Sequence, residues 1–430
     1  YIAVTGVQTC ALPIWFIYKD GYNPKIADDL AATISKYSPA NHPAEKWDEK
    51  DIALITYGDS IMESGRKPLK TLKDFLDTHF CNLFSVVHIL PFFPYSSDDG
   101  FAVIDFREVN PHLGSWKDIE ELTEHFDLMA DLVINHVSSK SQWFQNFLRQ
   151  QGKGTNFFIT ESPEADLSMV TRPRSSPLLT PVNTTRGKKH VWTTFSADQI
   201  DLDFSNPKVL IEMVDILLHY LFQGARIIRL DAIAFLWKKP GTTCLHLPET
   251  HEVVKLLRDI AEYLEPRAII LTETNVPHEE NLSYFGDGDE AHMVYQFSLP
   301  PLLLHALHTG NPEYLSEWAK GLKAPPEGCT FFNFTASHDG IGVRPLEGLI
   351  PEDEKIQLIE NIKMSGGEVS YKSNPDGSQS PYELNITWFD ALKRTLNGAD
   401  TLQVERFIAS QIIMMSFRGL PAFYIHSVTA

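Results

Sequence analysis

Three acidic residues stand at the ends of three apolar runs, a placement suited to cleaving a glycosidic bond. Asp231 closes Arg226-Ile-Ile-Arg-Leu-Asp231, Glu273 closes Ala268-Ile-Ile-Leu-Thr-Glu273, and Asp339 follows His338 at the end of the aromatic run that begins at Phe331. In the first run, period-two alternation puts Ile228 and Leu230 on one face and Arg229 and Asp231 on the other. Arg229 beside Asp231 favours an ionised, fixed carboxylate, as a carboxylate nucleophile requires. The apolar approach to Glu273 favours a raised pKa and a proton-donor role. A retaining glycosidase needs such a pair about 5 to 5.5 Å apart, and neighbouring strand ends supply that spacing. Taken singly, each residue has a plainer reading: a structural Arg–Asp pair, a helix-terminal charge, a surface turn. Convergence of all three on one face makes Asp231 the expected nucleophile, Glu273 the acid/base and Asp339 a third carboxylate.

Two further segments carry groups that suit a sugar. In Asp131-Leu-Val-Ile-Asn-His136, His136 is placed to hydrogen-bond a hydroxyl, although Asn135 and His136 suit a cap on the next helix equally well. The segment Pro91-Phe-Phe-Pro-Tyr-Ser-Ser-Asp98-Asp99-Gly-Phe101 joins acids to an aromatic ring, the pairing that holds hydroxyls and stacks on a pyranose, or else a solvated acidic turn.

Parallel strands are the elements that carry such residues to one end. Candidate strands cover 53–58, 85–90, 128–134, 226–230, 268–272, 293–297, 330–335 and 422–425, and candidate helices between them cover 69–79, 116–125, 207–223, 250–264 and 299–307. Eight strands alternating with helices predict an α/β chain folded as a (β/α)8 TIM barrel over 52–430, with its site at the C-terminal strand ends. Two connections are too long for simple βα loops: 137–202 and 340–401 are expected to be inserted subdomains after strands three and seven, forming walls and a lid. Residues 15–51 read as a helical N-terminal extension.

Composition excludes several other functions. A formal charge of −19 over 430 residues disfavours nucleic acid and anionic membranes, so any anionic ligand must meet a local basic patch. Cys10, Cys81, Cys244 and Cys329 show neither CxxC nor Cys/His metal spacing and read as reduced thiols of a cytoplasmic protein. No apolar run approaches the ~20 residues of a membrane helix. No metal site is evident, since Asn135 alone is not one. At the start of the chain, VTGVQTCALPI has no Lys or Arg before it and no small-residue cleavage site after it, against a signal peptide. It resembles the translation of a common short-read sequencing adapter. Residues 1–14 are therefore expected to be non-native and to pack poorly, and Cys10 not to count.

In this order, DLVINH, RIIRLD, the Glu of LTETN, and FTASHD resemble the conserved regions of the α-amylase superfamily, glycoside hydrolase family 13. The phrases ALITYGD, VVHILPFFPYSSDDGF, PGTTCLHL and YQFSLPPLLLHAL, with the Arg172-Pro-Arg174 loop, are most similar to its sucrose phosphorylase branch. The resemblance implies a retaining phosphorylase that passes glucose from an α-glucoside to inorganic phosphate through a glucosyl–Asp231 intermediate, with no cofactor. It implies that Asp339 distorts the sugar, that His136, Arg229 and His338 line the glucose subsite with Asp98, and that Phe101 is the stacking platform. Arg174 and Tyr382 become candidates for the acceptor or phosphate side. Phrases such as TRPRSSPLLTPV and GDGDEAHMVYQFSLPP lean, within the branch, toward 2-O-α-glucosylglycerate as donor. The branch continues past strand eight into an Arg-containing loop, a helix and a C-terminal β-domain, which the resemblance implies is missing from this chain. A hydrolase or transglucosidase with the same carboxylates, or an inactive carbohydrate-binding relative, is the alternative.

Overall fold

The computed structural model describes residues 13–374 and 378–429. Eight parallel strands close a barrel: β1 (Ala53–Thr56), β2 (Val86–Ile89), β3 (Asp127–Leu132), β4 (Ala225–Leu230), β5 (Ile269–Thr272), β6 (Met293–Tyr295), β7 (Thr330–Phe334) and β8 (Leu420–Tyr424). Each pairs with its neighbours in sequence, and β8 closes the ring on β1 with Ala53 opposite Ala422. The strands are almost wholly buried, which is why they read as continuous Val/Ile/Leu runs rather than as alternating ones. β8 begins at Leu420, two residues before the expected 422. Gly419, at φ 146°, makes the entry, and a Cβ there would lie 2.6 Å from the Phe331 carbonyl oxygen.

Crossover helices cover the barrel. The longest are α5 (Pro207–Phe222) and α6 (Pro248–Leu264), numbered in chain order after α1 (Pro24–Ile34), α2 (Pro68–His79), α3 (Trp116–Thr123) and α4 (Gln142–Arg149). α5 starts cleanly because the Asn206 side chain accepts from the Lys208 N–H and Pro207 has no donor to leave unpaired. Its mostly apolar sequence lies against the strands, with Leu210, Met213, Val214 and Leu217 buried in the main core.

The N-terminal extension is helical only as far as Ile34; residues 38–48 contain no helix and run toward the base of the barrel. There the Ala40 N–H donates to the Leu264 carbonyl, and Arg226 ties the Lys46 carbonyl to Asp127. Residues 1–12 of the expected non-native segment lie outside the described residues. Ile14 does not pack poorly, being fully buried in the main core with Ile17 and Leu30.

The connection after β3 contains α4, a hairpin of 179–184 with 187–192, and a short antiparallel pair of His136–Ser138 with Gln199–Asp201. The connection after β7 contains a three-stranded antiparallel sheet of 341–342, 368–373 and 379–385, and a helix at Glu352–Met364. Both rise from the C-terminal ends of the strands.

Candidate active site

Asp231 and Glu273 are met by a buried ion network that runs from β2 through β3 and β4 to the end of β5. Parallel pairing places Asp131 of β3 opposite Arg229 of β4. Arg229 Nη1 donates to Asp131 Oδ1 at 2.5 Å and to Asp231 Oδ1 at 2.8 Å, and its Nη2 is 3.9 Å from Glu273 Oε2. The far side of Asp131 is bonded to His88 Nε2 of β2 at 2.7 Å. Burial alone would lift the Asp131 carboxyl, but His88 and Arg229 outweigh it and hold it down at about 2. Asp131 therefore acts as a fixed anion that orients Arg229, whose guanidinium orients Asp231.

The strand ends bend to aim these groups. Ala232, directly after Asp231, sits in the left-handed region at φ 51°, and its N–H donates to Glu273 Oε2 at 3.0 Å. Burial pushes the carboxyls of Asp231 and Glu273 upward, with Arg229 opposing the rise in both. The charge of Glu273 adds to the rise at Asp231, and that of Asp339 to the rise at Glu273. Asp231 has the direct bond to Arg229, whereas Glu273 has only the longer contact and the Ala232 N–H.

All ten residues singled out in the sequence line one pocket of about 170 Å³: Asp98, Phe101, His136, Arg174, Arg229, Asp231, Glu273, His338, Asp339 and Tyr382. Asp98 accepts from Gln199 Nε2 at 2.7 Å, and both Asp98 and Asp99 lie at positive φ, which turns the acidic loop inward. The Phe101 ring stacks on His338 at 4.9 Å and 7°. His338 also approaches Asp339, with Nε2 3.4 Å from Oδ2. Asp339 is the most open of the three carboxylates, its side chain 40% exposed. Arg174 reaches in from the connection after β3, 5.8 Å above the Tyr382 ring and 3.8 Å from Glu383 of the connection after β7.

Asn135 and His136 do not cap the next helix; Ser141 does, accepting from the Phe144 N–H. His136 is buried, with Nε2 3.0 Å from the Phe101 carbonyl and 3.1 Å from Gln199 Nε2. Asn135 Oδ1 accepts from Lys238 Nζ at 2.6 Å. That ammonium lies 2.7 Å from Asp201 Oδ2 and also donates to the Phe235 carbonyl. A lysine thus supplies the positive charge at the centre of three oxygens.

Sequence reasoning missed Gln199, Glu383, Asn275 and Tyr57 among the lining residues. Glu383 could have been found as the neighbour of Tyr382, but nothing around Gln199 signals that antiparallel pairing with His136–Ser138 carries it to Asp98. Of the Arg172-Pro-Arg174 loop only Arg174 enters this pocket; Arg172 lines a different cavity.

Residues 83–322 match the α-amylase catalytic domain family. The chain is 52% identical over 384 residues to glucosylglycerate phosphorylase of Escherichia coli (strain K12), covering 89% of this chain and 68% of that protein. It is 51% identical to glucosylglycerate phosphorylase of Allomeiothermus silvanus, covering 91% of this chain and 70% of that one. The crystal structure of sucrose 6F-phosphate phosphorylase from Thermoanaerobacter thermosaccharolyticum superposes with a TM-score of 0.76 at 30% identity, covering 89% of this chain and 76% of that chain. With three carboxylates at the ends of β4, β5 and β7 and these likenesses along most of its length, the chain belongs to the α-amylase superfamily, glycoside hydrolase family 13, in its sucrose phosphorylase branch.

Proposed function

We propose that this protein catalyses the reversible phosphorolysis of 2-O-α-glucosylglycerate, giving α-glucose 1-phosphate and glycerate. The observation that carries the reading is Arg174, a guanidinium over Tyr382 that lines the same pocket as the carboxylates and, unlike Arg229, is not bonded to Asp231. Retaining cleavage needs only the carboxylates; a fixed arginine facing them suits an anionic acceptor, because its planar fork bonds a phosphate or carboxylate bidentately. The likeness to proteins named glucosylglycerate phosphorylase supports the choice of donor.

In the first step, Asp231 attacks the anomeric carbon and Glu273 protonates the departing glycerate oxygen, leaving a β-glucosyl ester on Asp231. Phosphate then enters on the vacated face, its oxygen attacks the same carbon, and the ester bond to Asp231 breaks. Two inversions return the α configuration. Asp339 and His338 grip the ring hydroxyls as it flattens, and Asp98 and His136 hold its other side. The segments 137–202 and 340–401 work as subdomains that wall the acceptor side: the first contributes Arg174 and Gln199, the second Tyr382 and Glu383. Among the described residues no helix is long and apolar enough to cross a membrane. Cys81, Cys244 and Cys329 are free thiols, which supports work in a reducing cytoplasm.

The test is glucose 1-phosphate release from glucosylglycerate, glucosylglycerol, sucrose and sucrose 6'-phosphate, with and without phosphate. Phosphate-dependent release that is fastest with glucosylglycerate is expected. Free glucose at equal rates with and without phosphate would make the protein a hydrolase.

A further inference from the structure

For a chain of charge −19, one region away from the catalytic pocket is unusually basic. A cavity of about 680 Å³ is lined by Arg172, Arg344 and Lys372, with Asp166 the one carboxylate on its wall among the described residues. The cations come from both long connections, so folding of each brings them together. Arg344 is largely buried, with only a loose 3.9 Å approach to Glu280, and its Nε has no hydrogen-bond partner among the described residues. Asp166 is turned to its own loop, accepting from the Ser168 hydroxyl at 2.6 Å. Arg172 spends one nitrogen on the carbonyls of Ser175 and Ser176. Burial and the nearby Arg344 and Lys355 pull the Lys372 ammonium down, with Glu347 and Glu280 opposing. Cations gathered on one wall repel one another, and with Glu280 at 3.9 Å from Arg344 and Asp166 turned to its own loop, an anion that joined them would relieve the cost.

The cavity adjoins the acceptor side of the catalytic pocket. Arg172 and Arg174 flank Pro173, one arginine in each space. Arg344 follows Val343, whose N–H donates to the Tyr382 carbonyl at 3.0 Å, and Lys372 is paired in register with Ser380, two residues before Tyr382. Tyr382 and Arg174 therefore stand where the two spaces meet.

We infer that this cavity is a second oxyanion site, which gathers the small anionic partner of glucosyl transfer and holds it beside the catalytic pocket. The inference rests on the phosphorolysis reading for its role, though not for its ligand chemistry. Two partners share that chemistry, the incoming phosphate and the carboxylate of glycerate.

The full chain is titrated calorimetrically with inorganic phosphate alone and with glycerate alone, in a buffer free of other oxyanions. The wild type is compared with Arg344→Gln/Lys372→Gln, and circular dichroism melts confirm that the variant is folded. Two phosphates per wild-type chain and one per variant chain are expected. The KM for phosphate should rise about tenfold while the KM for the glucoside is unchanged, the loss due to one or two charge-assisted bonds. A defect confined to glycerate titration and to the reverse reaction would assign the site to the leaving anion. Wild-type binding of both probes by the folded variant overturns the inference. If no glucose 1-phosphate forms but the variant still loses a phosphate, the phosphorolysis reading fails and the site stands. Should the double variant not fold, Arg172→Gln, on a partly exposed loop, carries the same comparison.

Discussion

Replacing Glu383 by Gln should stabilise the protein above neutral pH and leave it almost unchanged in acid. The side chain is only 10% exposed and lies 3.8 Å from Arg174, accepting a hydrogen bond from Asn275 at 3.3 Å. Burial, then the charge of Asp339, pushes its carboxyl up to about 8, against the pull of Arg174. The folded state therefore holds a proton that the unfolded chain releases near 4.5. Below 4.5 the two states are equally protonated at this group and its full contribution is present. Between 4.5 and about 8 only the unfolded chain has lost the proton, so stability falls as pH rises, and above 8 the loss is complete. At roughly 1.4 kcal/mol per pH unit, the penalty reaches at most about 5 kcal/mol. An unfolding entropy of about 2 cal/mol/K per residue converts this to roughly 5 °C in Tm for a chain of this size. Gln keeps the shape and the neutral state. The assay is calorimetric melting of both proteins from pH 4.5 to 9.5; the Tm gap should open steadily to about pH 8 and then level off. Activity should follow: ionised Glu383 beside Arg174 repels phosphate, so the wild-type KM for phosphate should climb near pH 8 and that of Glu383→Gln should not. A Tm gap that stays constant across the range, or a variant that melts lower at pH 9, would refute the reasoning.

Asp231→Ala should abolish transfer, and intact-mass spectrometry should find no glucosyl adduct after a slow substrate is added. Glu273→Gln should slow glucosylglycerate cleavage by about 10² to 10⁴-fold, but cleavage of glucosyl fluoride, whose leaving group needs no proton, far less; equal loss on both would remove Glu273 from the acid role. Lys238→Met should cost about 3 to 5 kcal/mol by leaving the fully buried Asp201 without its cation; urea unfolding measures it, and Asp201→Asn in the same chain should recover part. Ala232→Gly should stabilise by about 1 kcal/mol, since the left-handed conformation at φ 51° strains alanine and suits glycine; a lower urea midpoint would contradict this.

The barrel was legible because its strands are short apolar runs, several of which end on a polar residue, and the expected strand 226–230 falls one residue short of β4 as it stands, Ala225–Leu230. The carboxylates Asp231 and Glu273 were legible for the same reason: a residue at a strand end has its position fixed by the fold. Residues that reach the pocket through tertiary pairing were not. Gln199 depends on a three-residue antiparallel ladder with His136–Ser138, and Lys238 reaches Asn135 across 103 positions in the chain. His88 looked like one more residue of an apolar strand, and only the registered alignment of β2 with β3 reveals its bond to Asp131. Helix in the N-terminal extension ends at Ile34, and the later residues are held to the barrel base by scattered polar contacts of Ala40, His42 and Lys46, which leave no apolar period to read.

The ammonium of Lys238 among Asn135, Asp201 and Phe235 also bears on how the His136 segment is kept in order. A cation that arrives from solution binds with a dissociation constant, so the order it imposes fades on dilution. A cation carried on the chain has an effective concentration set by its tether and is present from the moment the loop folds. Its strength is fixed at translation and does not track the ionic composition of the cell. The alignment of His136 with Phe101 and Gln199 is therefore tied to the fold itself rather than to supply of an ion.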